Sequence, residues 1–331
     1  MKSTGNKQDA SLNKLSSNQT TPGFLHFKYS LIIIGIIVLF WGTTLAFPTI
    51  THGLIGSNFF YCLLYLVLTL HITLVTISVY LHRSETHRAV TFHPAVRHFF
   101  RFWLWLFTGT NRGGWVAVHR LHHQNPDTEK DPHSPVVYGL KKIFTHGIEL
   151  YSNAKTPEAI AKFGCVTDDD VLEKKLYAKL PVRGPLSLFL IQLVLLGIWA
   201  IPLWTIQMIL QILMQASVIN GLGHAIGYRN FNTQDNSHNL TRWGIIVGGE
   251  ELHNNHHLNP ASAKFSFRTD EYDIGWFYIC VLRRLGLATI KLKPVASIDL
   301  KYTKGLFKDL KNRSSHVGQM LFLALFVCVV L

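Results

Sequence analysis

The stretch "FFYCLLYLVLTLHITLVTISVYL", residues 59–81, carries no charged residue and then runs straight into "HRSETH". It exceeds the about 20 apolar residues that a helix needs to cross a hydrocarbon core. Working outward, "YSLIIIGIIVLFWGTTLAF" (29–47) precedes it across the uncharged joint "PTITHGLIGSN". Downstream, "GPLSLFLIQLVLLGIWAI" (184–201) is followed almost at once by a further run, 203–224, that opens "LWTIQMILQ". The four runs come as two pairs with short joints, so each pair reads as a helical hairpin. The chain has 331 residues, 48% hydrophobic and 15% charged, with a mean hydropathy of +0.20. The expectation is an all-α integral membrane protein with four transmembrane helices.

The charges orient such hairpins. All 32 Lys and Arg and all 19 Asp and Glu fall in residues 1–28, 82–183 and 229–313, and neither hairpin joint holds one. Basic residues collect on the cytoplasmic side, so the polar mass is expected as a cytoplasmic helical cap. Both ends of the four-helix region face the same way. The net charge of +13 then reflects attraction to anionic inner-leaflet headgroups and calls for no nucleic acid. Residues 1–28, rich in Ser, Asn, Gln and Lys, read as a disordered cytoplasmic tail. No small-residue cleavage site follows Phe47, so the first span is expected to stay in place. Cys62, Cys165, Cys280 and Cys328 stand singly, which argues against a zinc ribbon or a disulfide framework.

The 18 histidines are grouped. "HRSETH" holds His82 and His87, "HRLHH" holds His119, His122 and His123, "NGLGH" holds Asn220 and His224, and "HNNHH" holds His253, His256 and His257. At about 100° per residue, His119, His122 and His123 share one helix face, as do His253, His256 and His257. Asn220 and His224, four apart, also share a face. His82 and His87 are five apart and splay by roughly 140° in a regular helix, so their box is expected to straddle a helix end or to bridge two metal positions. Nine imidazoles exceed one tetrahedral zinc. Two metals with four or five ligands each fit the count, and imidazole suits Fe, Zn, Cu and Ni alike. His26, His52, His93, His98, His146, His238 and His316 read as surface or interfacial residues, and mid-span His71 as a packing hydrogen bond.

The ordered boxes, with "WVAVHRLHHQNPDTEKDPHSP" and "GGEELHNNHHLNP" around the last two, resemble the membrane fatty acid desaturases. The nearest branch is the delta-9 acyl-CoA type, like the stearoyl-CoA desaturases, in bacterial form. The resemblance runs from about residue 30 to about residue 290 and implies a desaturase domain over 29–290, with a dinuclear iron site in the cytoplasmic cap and O₂ as co-substrate. Carried over, the ligands are His82, His87, His119, His122, His123, His224, His253, His256 and His257, with Asn220 acting through a water. The implied reaction puts a cis double bond, at carbon 9, into a saturated acyl chain. Glu251 and Leu252 stand where many acyl-CoA members have a Gly and an aromatic, and relatives acting on intact phospholipids share the pattern. Both acyl-CoA and phospholipid chains therefore stand as substrates.

Carboxylates that accept the free ring N–H groups would orient the imidazoles. Glu85, Asp127, Asp131, Glu250 and Glu251 are the candidates by proximity. Trp115, four before His119, matches an aromatic position of the family and is a candidate to line the acyl tunnel. His133 of "DPHSP" belongs to the family pattern without being expected as a ligand. Two electrons beyond those of the substrate are needed, and "HPAV" at His93 lacks the H-P-G-G of a fused haem domain. The donor is expected to be separate: a ferredoxin, rubredoxin or cytochrome with its reductase, an acidic carrier meeting a basic face. The expected location is a bacterial-type inner or plasma membrane, among membrane lipids.

Two other readings are open. A related di-iron hydroxylase would carry the same boxes. A metal transporter needs polar ligands along its path through the bilayer, and the spans offer little beyond His71, Gln192, Gln207, Gln211 and Gln215. The C-terminal segment 291–331 ends in "VGQMLFLALFVCVVL" (317–331), short of a span and expected as an interfacial or tail anchor or as an altered C-terminus.

Overall fold

The computed structural model describes residues 31–39, 41–42, 46–47 and 51–292. The expected tails 1–28 and 317–331, and part of the first expected span, lie outside them. From Asn58, whose side chain accepts from the Phe60 N–H at 2.9 Å, the helices follow in order as α1 (Phe59–Thr76), α2 (Pro94–Thr108), α3 (Arg112–Gln124), α4 (Leu140–Ala154), α5 (Pro157–Phe163), α6 (Arg183–Leu196), α7 (Ala200–Ile212), α8 (His253–Leu258) and α9 (Ile274–Arg284). Two of them pass into π-helix: α1 into Ile77–Thr86 and α7 into Leu213–Leu222. The molecule is not purely helical. Val90–Phe92 pairs antiparallel with Ala288–Ile290, and Trp243–Gly244 pairs parallel with Tyr272–Asp273.

Among the described residues, two helical runs are long and apolar enough to cross a membrane: Phe59–Thr86 and Arg183–Leu222. The expectation of four separate spans is therefore met only by two runs. The second is no straight rod, because the Gln192 amide donates to Gln207 Oε1 at 3.0 Å and the Trp204 indole N–H donates to the Pro185 carbonyl at 2.9 Å. Residues fifteen and nineteen apart would lie more than about 20 Å apart along one helix. The run folds back on itself near Gly197, whose φ of +64° suits a residue without a Cβ, and α6 and α7 are the two arms.

The polar side chains of these runs are spent on packing. Gln192 also donates to the Tyr65 hydroxyl at 2.9 Å, Gln207 to Thr69 Oγ1 at 2.9 Å, and Gln211 to the Phe107 carbonyl at 2.8 Å. His71 meets the Tyr278 hydroxyl at 3.0 Å, the packing contact expected of it. Between apolar helices such bonds hold neighbours together. They do not form the ladder of ligands that a transport path requires.

The cap is built on a core of Tyr80, Leu81, Val90, Phe92, Phe100, Leu104, Val116 and Ile279. A buried charge pair crosses it. Arg83, fully buried, donates Nη1 to Asp273 Oδ2 at 3.0 Å and Nη2 to Oδ1 at 2.9 Å, and its remaining bonds go to the carbonyls of Ala263 and Gly248. Asp273 also caps α9 through the Trp276 N–H at 2.9 Å. One bidentate pair thus ties the first histidine box to the segment ahead of α9, and the bond to the Gly248 carbonyl ties it to the loop before the third box.

Candidate metal centre

His82 lies in the π-helical turn after α1, and His87 closes it, with the His87 N–H bonded to the His82 carbonyl at 3.1 Å. This i→i−5 turn stacks residues five apart, so the two rings meet with their Nε2 atoms 3.0 Å apart. The splay expected of a regular helix does not occur. On α3, His119 and His123 are i,i+4 neighbours with Nε2 atoms 3.0 Å apart, while His122, its ring 5.4 Å from that of His123, joins a different set. On α8 the third box divides in the opposite sense, His253 and His257 together and His256 apart.

Two sets result. His82, His87, His119, His123 and His256 bring one ring nitrogen each to within 4.8 Å of all the others, and so do His122, His224, His253 and His257. The His82–His256 and His256–His123 contacts are 3.1 and 3.0 Å, and His224–His253 is 3.0 Å, all through Nε2. His122 and His257 meet at 3.4 Å. All nine histidines of the sequence boxes are thereby gathered, five and four, without a charged group among them. Asn220 belongs to neither set; its amide donates to the Gln215 carbonyl at 3.3 Å.

The opposite nitrogens explain how the rings are held. His122 Nδ1 meets Asp131 at 2.9 Å, His224 meets Asp127 at 2.9 Å, His82 meets Glu250 at 2.8 Å, and His257 meets Asp235 at 2.8 Å. Asp127 and Asp131 sit in the loop after α3, where Asp131 also accepts from the Asp127 and His133 N–H groups. Asp127 accepts from Ser134 and from the Asn236 N–H. These bonds outweigh the burial of the Asp131 carboxyl and keep it below its ordinary range.

Glu85 and Glu251, expected in the same role, take other partners. Glu85 accepts from the backbone and hydroxyl of Thr167 and lies 3.6 Å from Arg112. Glu251 accepts from the N–H groups of Ile246, Val247 and Gly249. Both are fully buried, and each holds a loop rather than a ring. Asp235 went unforeseen from the sequence, although the alternation in "TQDNS" (233–237) is a signal. Thr233 and Ser237 donate to its other oxygen, as a short polar side chain in a turn invites.

A cavity of about 350 Å³ adjoins the five-histidine set. His82, His119, His133, Glu250 and Asn220 line it, together with Leu74, Ile77, Trp115, Val118, Ile212 and Ile219. Trp115 stacks on His119, ring centroids 4.9 Å apart and planes at 13°. His133 lies beside His122, with centroids 4.7 Å apart, and its Nε2 is buried without a partner among the described residues.

The donor set fits metal ions. Metal ligation requires neutral imidazoles with free lone pairs, and burial pushes His119, His123, His253, His256 and His257 well below their ordinary range. Nitrogens held about 2.1 Å from a common centre stand about 3.0 Å apart when their bonds are perpendicular, which is the spacing observed. Burial pushes the Glu250 carboxyl up to about 8; cations on the rings would oppose that shift. Each histidine set could hold a metal ion.

No family model matches the chain. It is similar to the Delta-9 acyl-lipid desaturase 1 of Arabidopsis thaliana, 30% identical over 217 residues, 64% of this chain and 69% of that protein. It is similar also to the sn-1 stearoyl-lipid 9-desaturase of Anabaena variabilis, 29% identical over 268 residues, 75% of this chain and 92% of that protein. Likeness of this extent to proteins so named accounts for an apolar cavity beside nine converging imidazoles: the chain belongs to the delta-9 fatty acid desaturase family.

Proposed function

We propose that the protein is an O₂-dependent fatty acyl desaturase that places a cis double bond, at carbon 9, in a saturated acyl chain, with two iron ions and electrons from a separate carrier. The observation that carries this reading is the adjacency of the two buried histidine sets to an apolar cavity. Removing hydrogen from an unactivated methylene lies beyond side-chain chemistry, and bound iron supplies the oxidising power with O₂. The balance is two hydrogens from the chain and two electrons and two protons from outside, reducing O₂ to two waters. The relatives' names favour a chain esterified in a lipid.

In this reading His82, His87, His119, His123 and His256 would hold one ion and His122, His224, His253 and His257 the other, with Asn220 acting through a water. Asp127, Asp131, Asp235 and Glu250 hold four of the rings by their Nδ1–H groups, fixing tautomer and direction. Leu74, Ile77, Val118 and Ile219 exclude water and keep the chain extended past the rings. Trp115, flat against His119, limits where the chain can lie. The 29–290 region is the desaturase domain. The charge census supports a site on the cytoplasmic side, and the net positive charge supports an acidic electron carrier, a ferredoxin, rubredoxin or cytochrome.

The test is expression in a host that makes no unsaturated fatty acids, followed by mass spectrometry of its lipids. Chains two hydrogens lighter are expected from the wild type and none from His256→Ala. Chains one oxygen heavier would make the protein a hydroxylase. Unchanged activity in His256→Ala would overturn the assignment of the ligands.

A further inference from the structure

The walls of the cavity differ in kind. Gly147, Ile148 and Tyr151, on one face of α4, line it together with Lys155, the residue that ends the helix. Opposite them stand Gln211, Ile212 and Gln215 of the second membrane-length run. Two of these lining side chains are exposed as well, Ile148 by 60% and Ile212 by 40%. The opening is therefore apolar-edged. Ile206 and Ile209 continue the exposed stripe along α7 at three-residue spacing, so the surface leading to the opening is one that suits lipid tails rather than water.

Among the lining residues Lys155 is the one permanent cation. Its aliphatic stem lies over Gly114: a Cβ there would come within 2.5 Å of the Lys155 Cδ. Gly114 precedes His119 on α3 by five residues, about 7.5 Å of helix axis. Among the described residues the ammonium group has no carboxylate partner. Tyr151 offers a ring beneath it at 5.5 Å, and Thr108, Thr110 and Asn111 add uncharged polar groups to the lining. One lysine among hydroxyls and an amide matches a single phosphodiester. A nucleotide-based carrier with several phosphates calls for several cations, preferably arginines.

We propose that the cavity is loaded sideways from the bilayer with an acyl chain still esterified in a glycerophospholipid, and that Lys155 binds the lipid's phosphodiester. This rests on the desaturase reading for what happens to the chain, and on the cavity alone for what is bound.

Binding is measured on delipidated full-length protein in detergent, using phosphatidylglycerol with a fluorescent acyl chain. Galactolipid of the same chains, acyl-CoA and inorganic phosphate serve as comparators. Lys155→Met keeps the stem over Gly114 and removes the charge; it is expected to weaken phosphatidylglycerol binding about tenfold, the loss of one charge-assisted hydrogen bond. Lys155→Arg restores it, and neither change alters galactolipid binding. Unchanged phosphatidylglycerol affinity in Lys155→Met would overturn the proposal. So would tighter binding of acyl-CoA than of the lipid, or displacement of the lipid by phosphate alone at equal concentration. Product analysis separates the two readings. If chains on CoA or galactolipid are desaturated and those on phosphatidylglycerol are not, the phosphate subsite fails and the desaturase stands. If phosphatidylglycerol binds through Lys155 and no chain is ever desaturated, the desaturase fails and the subsite stands.

Discussion

At the scale of single residues, the third box shows how much of a metal motif is not metal ligand. Between His253 and His256 stand Asn254 and Asn255, both buried. Asn254 accepts from the N–H groups of Asn230 and Phe231, and Asn255 accepts from Asn230 and Asn239 while donating to Glu271 and the Phe265 carbonyl. They staple the preceding loop to α8, and that loop carries Asp235 to His257. Asn255→Leu leaves several buried polar groups without partners and is expected to destabilise the protein by about 2–3 kcal/mol or more, read as a lowered unfolding midpoint in detergent. Asp235→Asn and Asp131→Asn act differently. Each keeps the shape and loses the charge that fixes a ring, so activity is expected to fall about 10–100-fold while the unfolding midpoint shifts little. Equal activity of Asp235→Asn and wild type would remove that residue from the site. Proximity in sequence found Asp127, Asp131 and Glu250. It could not tell them from Glu85 and Glu251, because what a buried carboxylate accepts depends on which loop reaches it.

At the scale of elements, helical periodicity made the site half legible. The 100° rule placed His119, His122 and His123 on one side of α3 and the third box on one side of α8, as found. It did not reveal that each box divides between two sets, because the division depends on a partner helix approaching from either flank. It read the first box in part: the box straddles a helix end, with His82 inside and His87 at the cap, but nothing in "HRSETH" announces a π-helical turn. That turn is held from outside: Arg83, at its centre, pairs with Asp273 ahead of α9. Gly249, at φ +98°, has no room for a Cβ, which would come within 2.2 Å of Asp273 Oδ1 and 2.5 Å of Arg83 Nη2. Gly249 is thus explained by a charge pair, and Gly248, where a Cβ would come within 2.7 Å of the Ser78 Cβ, by the close approach of α1's π-helical end. Asp273→Asn strands a buried guanidinium and is expected to cost about 3–5 kcal/mol. Gly249→Ala is expected to loosen the same pair and to reduce the metal bound by purified protein. Retention of full metal content in Gly249→Ala would show that the pair and the histidine turn are not coupled.

At the scale of the whole molecule, charge and hydropathy separate two regions, and the site lies where they meet. Every charged residue falls outside the uncharged runs and their joints, and the histidine sets draw on the ends of the two membrane-length runs: His82 lies in the last part of the first, His87 just after it and His224 just after the second. Hydropathy read residues 184–201 and 203–224 as a hairpin, and the Gln192–Gln207 and Trp204–Pro185 contacts fold the run back in that way. The side of the membrane on which the cap lies follows from the basic residues, and it can be tested without reference to catalysis. Cys165 is exposed on the cap, in the segment after α5, whereas Cys62 and Cys280 are half-buried. In a Cys328→Ser background a membrane-impermeant maleimide is expected to leave Cys165 unmodified in intact cells and to label it in inside-out vesicles. Adding Cys165→Ser should abolish that label. Labelling of Cys165 from outside intact cells would reverse the orientation, and with it the access of any cytoplasmic electron carrier to the histidine sets.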